Sequence, residues 1–114
     1  MAHATLTSTV RYVGVADWWG FHVWIEEGDV TRLVPLHGPV THVGRGFSAH
    51  LRLEDQSVSR RHAVIVEHSG GTRILDDRSA NGTFVNGRRV SEAALSDRDV
   101  IQLGAVTLVF VEIP

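Results

Sequence analysis

A chain of 114 residues, 43% hydrophobic and 21% charged, suits one soluble domain that buries roughly two-thirds of its unfolded surface. Its net charge of −2 argues against a surface built for nucleic acid or anionic lipid. Cysteine is absent, which excludes disulfides, thiolate zinc sites and thiol catalysis. The start lacks the pattern of a signal peptide, and no apolar run approaches the ~20 residues of a membrane helix, so a cytoplasmic protein is the simplest reading. All eleven basic residues are arginine. A coding bias accounts for that, yet it also means that an anion must be held here by guanidinium forks, hydroxyls or backbone amides.

Residues 1–17 read as an extension, flexible and Ser/Thr-rich up to Thr9, with room for an added strand over residues 11–15. Thr5, Thr7, Ser8 and Thr9 are phosphoacceptors by chemistry, and a phosphorylated tail folding back on the domain is one regulatory expectation. Residues 18–114 form the domain proper. Trp18, Trp19 and Trp24 come first. At least one is expected in the core, and the adjacent pair, pointing to opposite faces, is expected to leave one exposed as a contact surface, for dimerisation among other uses.

Turn signals then divide the chain into short strands. Glu27-Gly28-Asp29 separates residues 18–26 from 30–36, and His37-Gly38-Pro39 separates those from 40–43. Ser69-Gly70-Gly71 lies between 63–66 and 72–75. Asn86-Gly87 is a two-residue hairpin signal, because both residues tolerate positive φ. Leu103-Gly104-Ala105-Val106 reads as another hairpin, and only residues 91–97 have the composition of a helical turn. Alternation at Phe21, Val23 and Ile25, and β-branched runs at 64–66 and 106–111, complete a pattern of strands with turns every roughly 8–12 residues. The fold class is all-β, a sandwich of two antiparallel sheets.

Polar residues gather at strand ends. Gly44-Arg45 follows one strand; Ser57-Val58-Ser59-Arg60-Arg61-His62 precedes another; Asp76-Asp77-Arg78-Ser79-Ala80-Asn81-Gly82-Thr83 fills a third connection. Loops at one end of a sandwich can converge. Guanidinium forks, a hydroxyl and an amide meeting there suit a phosphate on a peptide. Arg60 and Arg61 point apart on an extended backbone, so one of them, Arg60, is taken for the site and Arg61 for a solvated charge. Each residue also has a plainer role: Arg45 as a solvated arginine, Ser59 as a turn cap, Asn81 as a left-handed turn residue before Gly82.

These blocks, Gly44-Arg45, Ser59-Arg60-Arg61-His62-Ala63, Ser79-Ala80-Asn81-Gly82-Thr83-Phe84-Val85-Asn86-Gly87 and Leu95 with Asp99-Val100-Ile101-Gln102-Leu103-Gly104, closely resemble the motifs of forkhead-associated (FHA) domains over about residues 32–110. The resemblance implies a sandwich of about eleven strands that binds phosphothreonine peptides through loops at one end, in Ser/Thr kinase signalling. It implies that Arg45 and Ser59 are the main phosphate contacts, that Arg60 adds a donor, and that Asn81 holds the peptide main chain. His62 is implied to tie the loops from below as a buried structural histidine, and Gly44 and Gly82 to shape the backbone. The implied partner is a phosphothreonine-containing protein, a kinase or its substrate, with no cofactor, metal, nucleic acid or membrane.

The sequence departs from the family at three places. Ala80 stands where a Thr or Ser hydroxyl is common, removing a hydrogen bond worth about 1.5–3 kcal/mol when made to a charged group. Arg98 stands where glycine is usual, so that turn must avoid positive φ or carry strain. Residues 46–50 lack the family's acidic and asparagine residues. A niche for the phosphothreonine methyl group is expected to favour it over phosphoserine by roughly 10- to 200-fold. Ala80 also keeps open a second reading, a phosphate-independent scaffold with a degenerate site. An enzyme is not expected: the seven histidines form no His-x-x-x-His pair, and there is no Gly-x-Ser-x-Gly elbow or Walker loop.

Overall fold

The computed structural model describes residues 10–12, 20–36 and 38–114. These hold twelve strands: β1 (Val10–Tyr12), β2 (Gly20–Glu27), β3 (Val30–Pro35), β4 (Val40–Gly44), β5 (Leu51–Arg52), β6 (Ala63–His68), β7 (Gly71–Asp76), β8 (Thr83–Val85), β9 (Arg88–Val90), β10 (Glu92–Leu95), β11 (Val100–Leu103) and β12 (Val106–Ile113). One sheet runs β1-β3-β2-β12-β11-β8-β9 and the other β10-β7-β6-β4-β5. No helix occurs among the described residues, so none there is long and apolar enough to cross a membrane.

Alternation decides which face of each strand is buried. Val23 and Ile25 on β2, and Val106, Leu108 and Phe110 on β12, are sealed from solvent, as are Val43, Ala63, Ile65 and Ile74 of the opposite sheet. Phe110 stacks on Phe21 with ring centroids 5.4 Å apart. Asn86 and Gly87 take φ of 50° and 83°, the paired positive values that a two-residue hairpin needs to match strand twist.

Two expectations change. The sheets are not wholly antiparallel, since β1 pairs with β3 and β4 with β5 in parallel. Residues 91–97 form no helical turn; Glu92–Leu95 is a strand along β7, with Arg73 Nε 2.6 Å from Glu92 Oε2. Tertiary pairing outweighs helix propensity over so short a run. Of the three tryptophans, at least one of which is expected in the core, Trp24 is the described one and is not fully buried. It alternates with the buried Val23 and Ile25 and lies half-buried on the outer face, its Nε1–H donating to Glu26 at 3.4 Å. Trp18, Trp19, His37 and residues 1–9 lie outside the described residues.

Register brings three chain segments to one end of the sandwich. Val43 at the end of β4 pairs with Ala63 at the start of β6, and Ala63 pairs with Asp76 at the end of β7. Thr83, opening β8, pairs with Leu103 beside the β11–β12 turn. The connections after β4, before β6 and after β7 therefore leave the sheets side by side.

Arg98 does adopt a positive φ, 76°, in a turn closed by Asp99 N–H to Ser96 O at 3.0 Å and Ser96 N–H to Asp99 Oδ2 at 2.8 Å. A left-handed conformation costs a side-chain-bearing residue about 1–2 kcal/mol, and glycine's extra unfolded-state entropy offsets only part of that. The Arg98–Asp97 pair, 3.7 Å apart with Arg98 82% exposed, contributes little. Arg98→Gly is expected to stabilise the fold by about 0.5–1 kcal/mol and raise the thermal midpoint by roughly 2–6 °C. An unchanged or lower midpoint by calorimetry would show the turn to be unstrained.

Candidate functional site

Gly44 begins the site because of what a side chain there would meet. A Cβ at Gly44 would lie 2.8 Å from the Arg60 carbonyl carbon and 3.0 Å from the Ser59 oxygen. This close approach lets Arg45 N–H bond Ser59 O at 3.0 Å and Gly46 N–H bond Arg60 O at 3.1 Å, a two-rung clasp between the first and second loops.

The second loop, residues 53–62, is held on every side. Leu53 and Val58 are plugged into the core with no exposed surface. Glu27 Oε2 accepts the N–H groups of Glu54 and Asp55 at 2.6 and 3.0 Å. Asp55 Oδ1 accepts from Ser57 N–H and Ser57 Oγ–H at 2.9 and 2.6 Å, and these bonds hold its carboxyl below its ordinary value. Ser57 Oγ in turn accepts Ala105 N–H at 2.7 Å, tying the loop to the β11–β12 turn.

His62 lies under the loops, 0% exposed. Its Nδ1 accepts Ser59 N–H at 3.1 Å, so the opposite nitrogen carries the proton and donates to Gly82 O at 2.8 Å. The ring thus bonds the second loop to the third. Gly82 has φ of 91°, and a Cβ there would come within 2.8 Å of Arg89 Nε. Asn81 keeps ordinary φ and spans the gap instead, its Nδ2–H donating to Ser57 O at 2.8 Å. The left-handed residues of this loop are Arg78 and Gly82.

Arg45, Ser59 and Asn81 consequently share one end of the molecule. Arg45 Nε–H donates to Val58 O at 2.9 Å; among the described residues nothing engages its two terminal nitrogens. Ser59 Oγ accepts Ala80 N–H at 2.9 Å, leaving its own O–H free to donate outward. Arg60 is exposed at the rim and shares a cavity with His42 and His50. Arg61 pairs with Asp77 at 3.0 Å. Arg52 backs the first loop, donating from Nε to Arg45 O at 3.1 Å and lying 4.4 Å over the exposed Phe47 ring.

Three contributions escape a reading of the sequence. Asp76 organises the third loop, accepting from Ser79 Oγ, Thr83 Oγ1 and Ser79 N–H at 2.5, 2.7 and 3.2 Å. The Asp-x-x-Ser spacing at 76–79 is its visible signal. Glu27 acts from a distant hairpin, which no local pattern marks. Arg89 lies against Gly82 through the pairing of Phe84 with Arg89, legible once the Asn86-Gly87 register is taken literally.

Partial burial pushes the Asp76 carboxyl up, but the hydrogen bonds from Ser79 and Thr83 outweigh it and hold the group below its ordinary 3.8. A carboxylate lowered in the fold contributes stability that is complete above its ordinary value and is lost as the pH falls through its folded value. Asp76→Asn is expected to cost about 1–3 kcal/mol at neutral pH, and the gap to the parent chain, by urea unfolding, is expected to close below pH 3.8. A gap that persists undiminished in acid would mean that the loop does not depend on the ionised carboxylate.

Residues 41–104 match the family model described as FHA domain. The chain is 39% identical over 79 residues to the oxoglutarate dehydrogenase inhibitor of Corynebacterium diphtheriae, covering 69% of this chain and 55% of that protein. It spans about half, or much less, of the curated relatives it matches. A structure solved for phosphothreonine-dependent FHA domain interactions superposes with a TM-score of 0.78 at 35% identity, covering 83% of this chain and 98% of that one. The FhaA FHA domain, solved with the intracellular domain of Rv3910, gives 0.74 at 36% identity, covering 79% and 98%. With the family model matching more than half of its residues and the sandwich superposing on solved members, the chain belongs to the FHA domain family.

Proposed function

We propose that this domain binds phosphothreonine segments of partner proteins in Ser/Thr kinase signalling, and that it acts by recognition without turnover, in the cytoplasm. FHA domains bind phosphothreonine peptides, and the observation that carries the reading to this chain is the joint placement of Arg45 and Ser59. Two backbone bonds clasp their loops, Arg45 Nε is anchored on Val58 O, and the terminal guanidinium nitrogens and the Ser59 hydroxyl proton remain for a ligand. A phosphothreonine brings about −1.5 to −2 charges and three acceptor oxygens. In this reading Arg45 takes two of them, Ser59 a third, and Arg60 screens the charge from the rim. Asn81, already spanning to Ser57 O, lies where it can exchange that bond for the peptide main chain. Gly44, His62 and Gly82 hold the frame, and residues 1–17 remain an extension, of which β1 joins the larger sheet.

The second reading, a scaffold with a degenerate site, draws on Ala80. One experiment separates the two. Calorimetry with a phosphothreonine peptide and its unphosphorylated twin is expected to show binding to the first only. Arg45→Ala is expected to weaken it by about 100-fold or more, and Ala80→Thr to strengthen it by roughly tenfold, at 1.5–3 kcal/mol per charged hydrogen bond. Equal affinity for both peptides, or undiminished affinity in a folded Arg45→Ala chain, would leave the scaffold reading standing.

A further inference from the structure

Beside the three-loop site, against the end of β4 and the start of β6, lies a cavity of about 430 Å³ lined in part by His42, Ser48, His50, Arg60, Arg61 and Asp77. His42 faces outward there because its neighbours Thr41 and Val43 are buried. Most polar side chains of this lining can donate a hydrogen bond. His50 Nδ1 accepts the backbone N–H of His42 at 2.9 Å, so a neutral His50 ring carries its proton on Nε2, where it remains to be donated. The two imidazoles stand 5.3 Å apart, centroid to centroid. Asp77 is the one acid of the lining, and Arg61 engages both of its oxygens, from Nε at 3.0 Å and Nη2 at 3.4 Å. Arg60 has no ion-pair partner among the described residues. The lining therefore carries two imidazoles, a hydroxyl and the Arg60 charge that it shares with the rim of the phosphate site, and its single carboxylate is already paired. A concave space with these donors suits an anion.

Its position gives it a role. Arg60 follows Ser59 directly, and its carbonyl is clasped by Gly46, the residue after Arg45, so the cavity opens on the rim of the phosphate site. We propose that it is a second anion subsite for the same peptide, receiving the carboxylate of an acidic residue or a second phosphate a few residues from the phosphothreonine. The inference rests on the phosphothreonine reading and adds a sequence preference to it.

The test uses the full chain and fluorescence-labelled peptides that carry one phosphothreonine. Glutamate is scanned through about four positions on either side, the reach of an extended chain at ~3.3 Å per residue, and a parallel series carries a second phosphothreonine at each position. One position, or two neighbouring ones, is expected to gain about fivefold in affinity. A gain in the glutamate series identifies a carboxylate occupant, a gain only in the second series a phosphate. The double variant His42→Ala, His50→Asn, which leaves the Arg61–Asp77 pair in place, is expected to lose most of the gain while binding the singly phosphorylated peptide like the parent; the His50→Asn change retains a side-chain acceptor for the backbone N–H of residue 42. If that variant does not melt cooperatively, the exposed His42→Ala alone is expected to reduce the gain. No gain at any position, or a gain undiminished in a folded variant, overturns the subsite and leaves phosphothreonine binding intact. Failure of the parent chain to bind the singly phosphorylated peptide overturns the reading beneath it.

Discussion

Three irregular loops cannot hold a binding geometry without ties between them, and the buried tie between the second and third is the imidazole of His62. Ordering the backbone costs about 1–2 kcal/mol per residue, whereas a net hydrogen bond returns about 0.5–1.5 kcal/mol. The ten-residue segment 53–62 is therefore not held by polar contacts alone. Leu53 and Val58 insert fully into the core, each worth about 1.5–3 kcal/mol of transfer energy, and so turn a surface loop into part of the packed interior. Burial on that scale strands backbone groups, and His62 satisfies two of them from different loops, Ser59 N–H and Gly82 O. An aliphatic residue of similar volume would fill the space and leave a donor and an acceptor unpaired.

The same frame explains how arginine is used. A guanidinium on a free side chain loses rotamer entropy when it grips an anion. Arg45 has lost much of that freedom already, because Nε is fixed on Val58 O and its peptide N–H on Ser59 O. Its planar fork then presents terminal nitrogens as a pre-set pair, which a lysine ammonium would not reproduce. Arg61 shows the opposite use: paired with Asp77 and 66% exposed in its side chain, it serves the wall of the neighbouring cavity. Arg60 and Arg61, expected to point apart, instead line one cavity, because the chain bends there rather than running extended.

Alternation and turn chemistry make most strands legible, because each depends on residues close in sequence. The Asn86-Gly87 hairpin and the alternating β2 follow from backbone sterics and burial of one face. What escapes is non-local. β5 is two residues long and exists because β4 offers a parallel edge; β10 exists because β7 pairs with it. The size of Trp24 points to the core, whereas its parity with Val23 and Ile25 already puts it outside. At the site, Arg45, Ser59 and Asn81 are legible as motif residues that strand register brings together. Glu27 and Ser57 are not, because each holds loop 53–62 through a partner distant in sequence and carries no local mark of that contact.

Ala80 separates the frame from the grip. Its backbone N–H bonds Ser59 Oγ, and any residue except proline can supply that bond, so the framework does not depend on the side chain at position 80. What alanine removes is a hydroxyl that would touch only the ligand. Ser59, by accepting from Ala80, keeps its own proton for the anion, and a loop short of one donor still directs a second. In the proposed site the loop framework stands without that hydroxyl, and the donor set is one smaller. Under the proposed subsite, the cavity beside Arg60 is where further contacts would compensate for it.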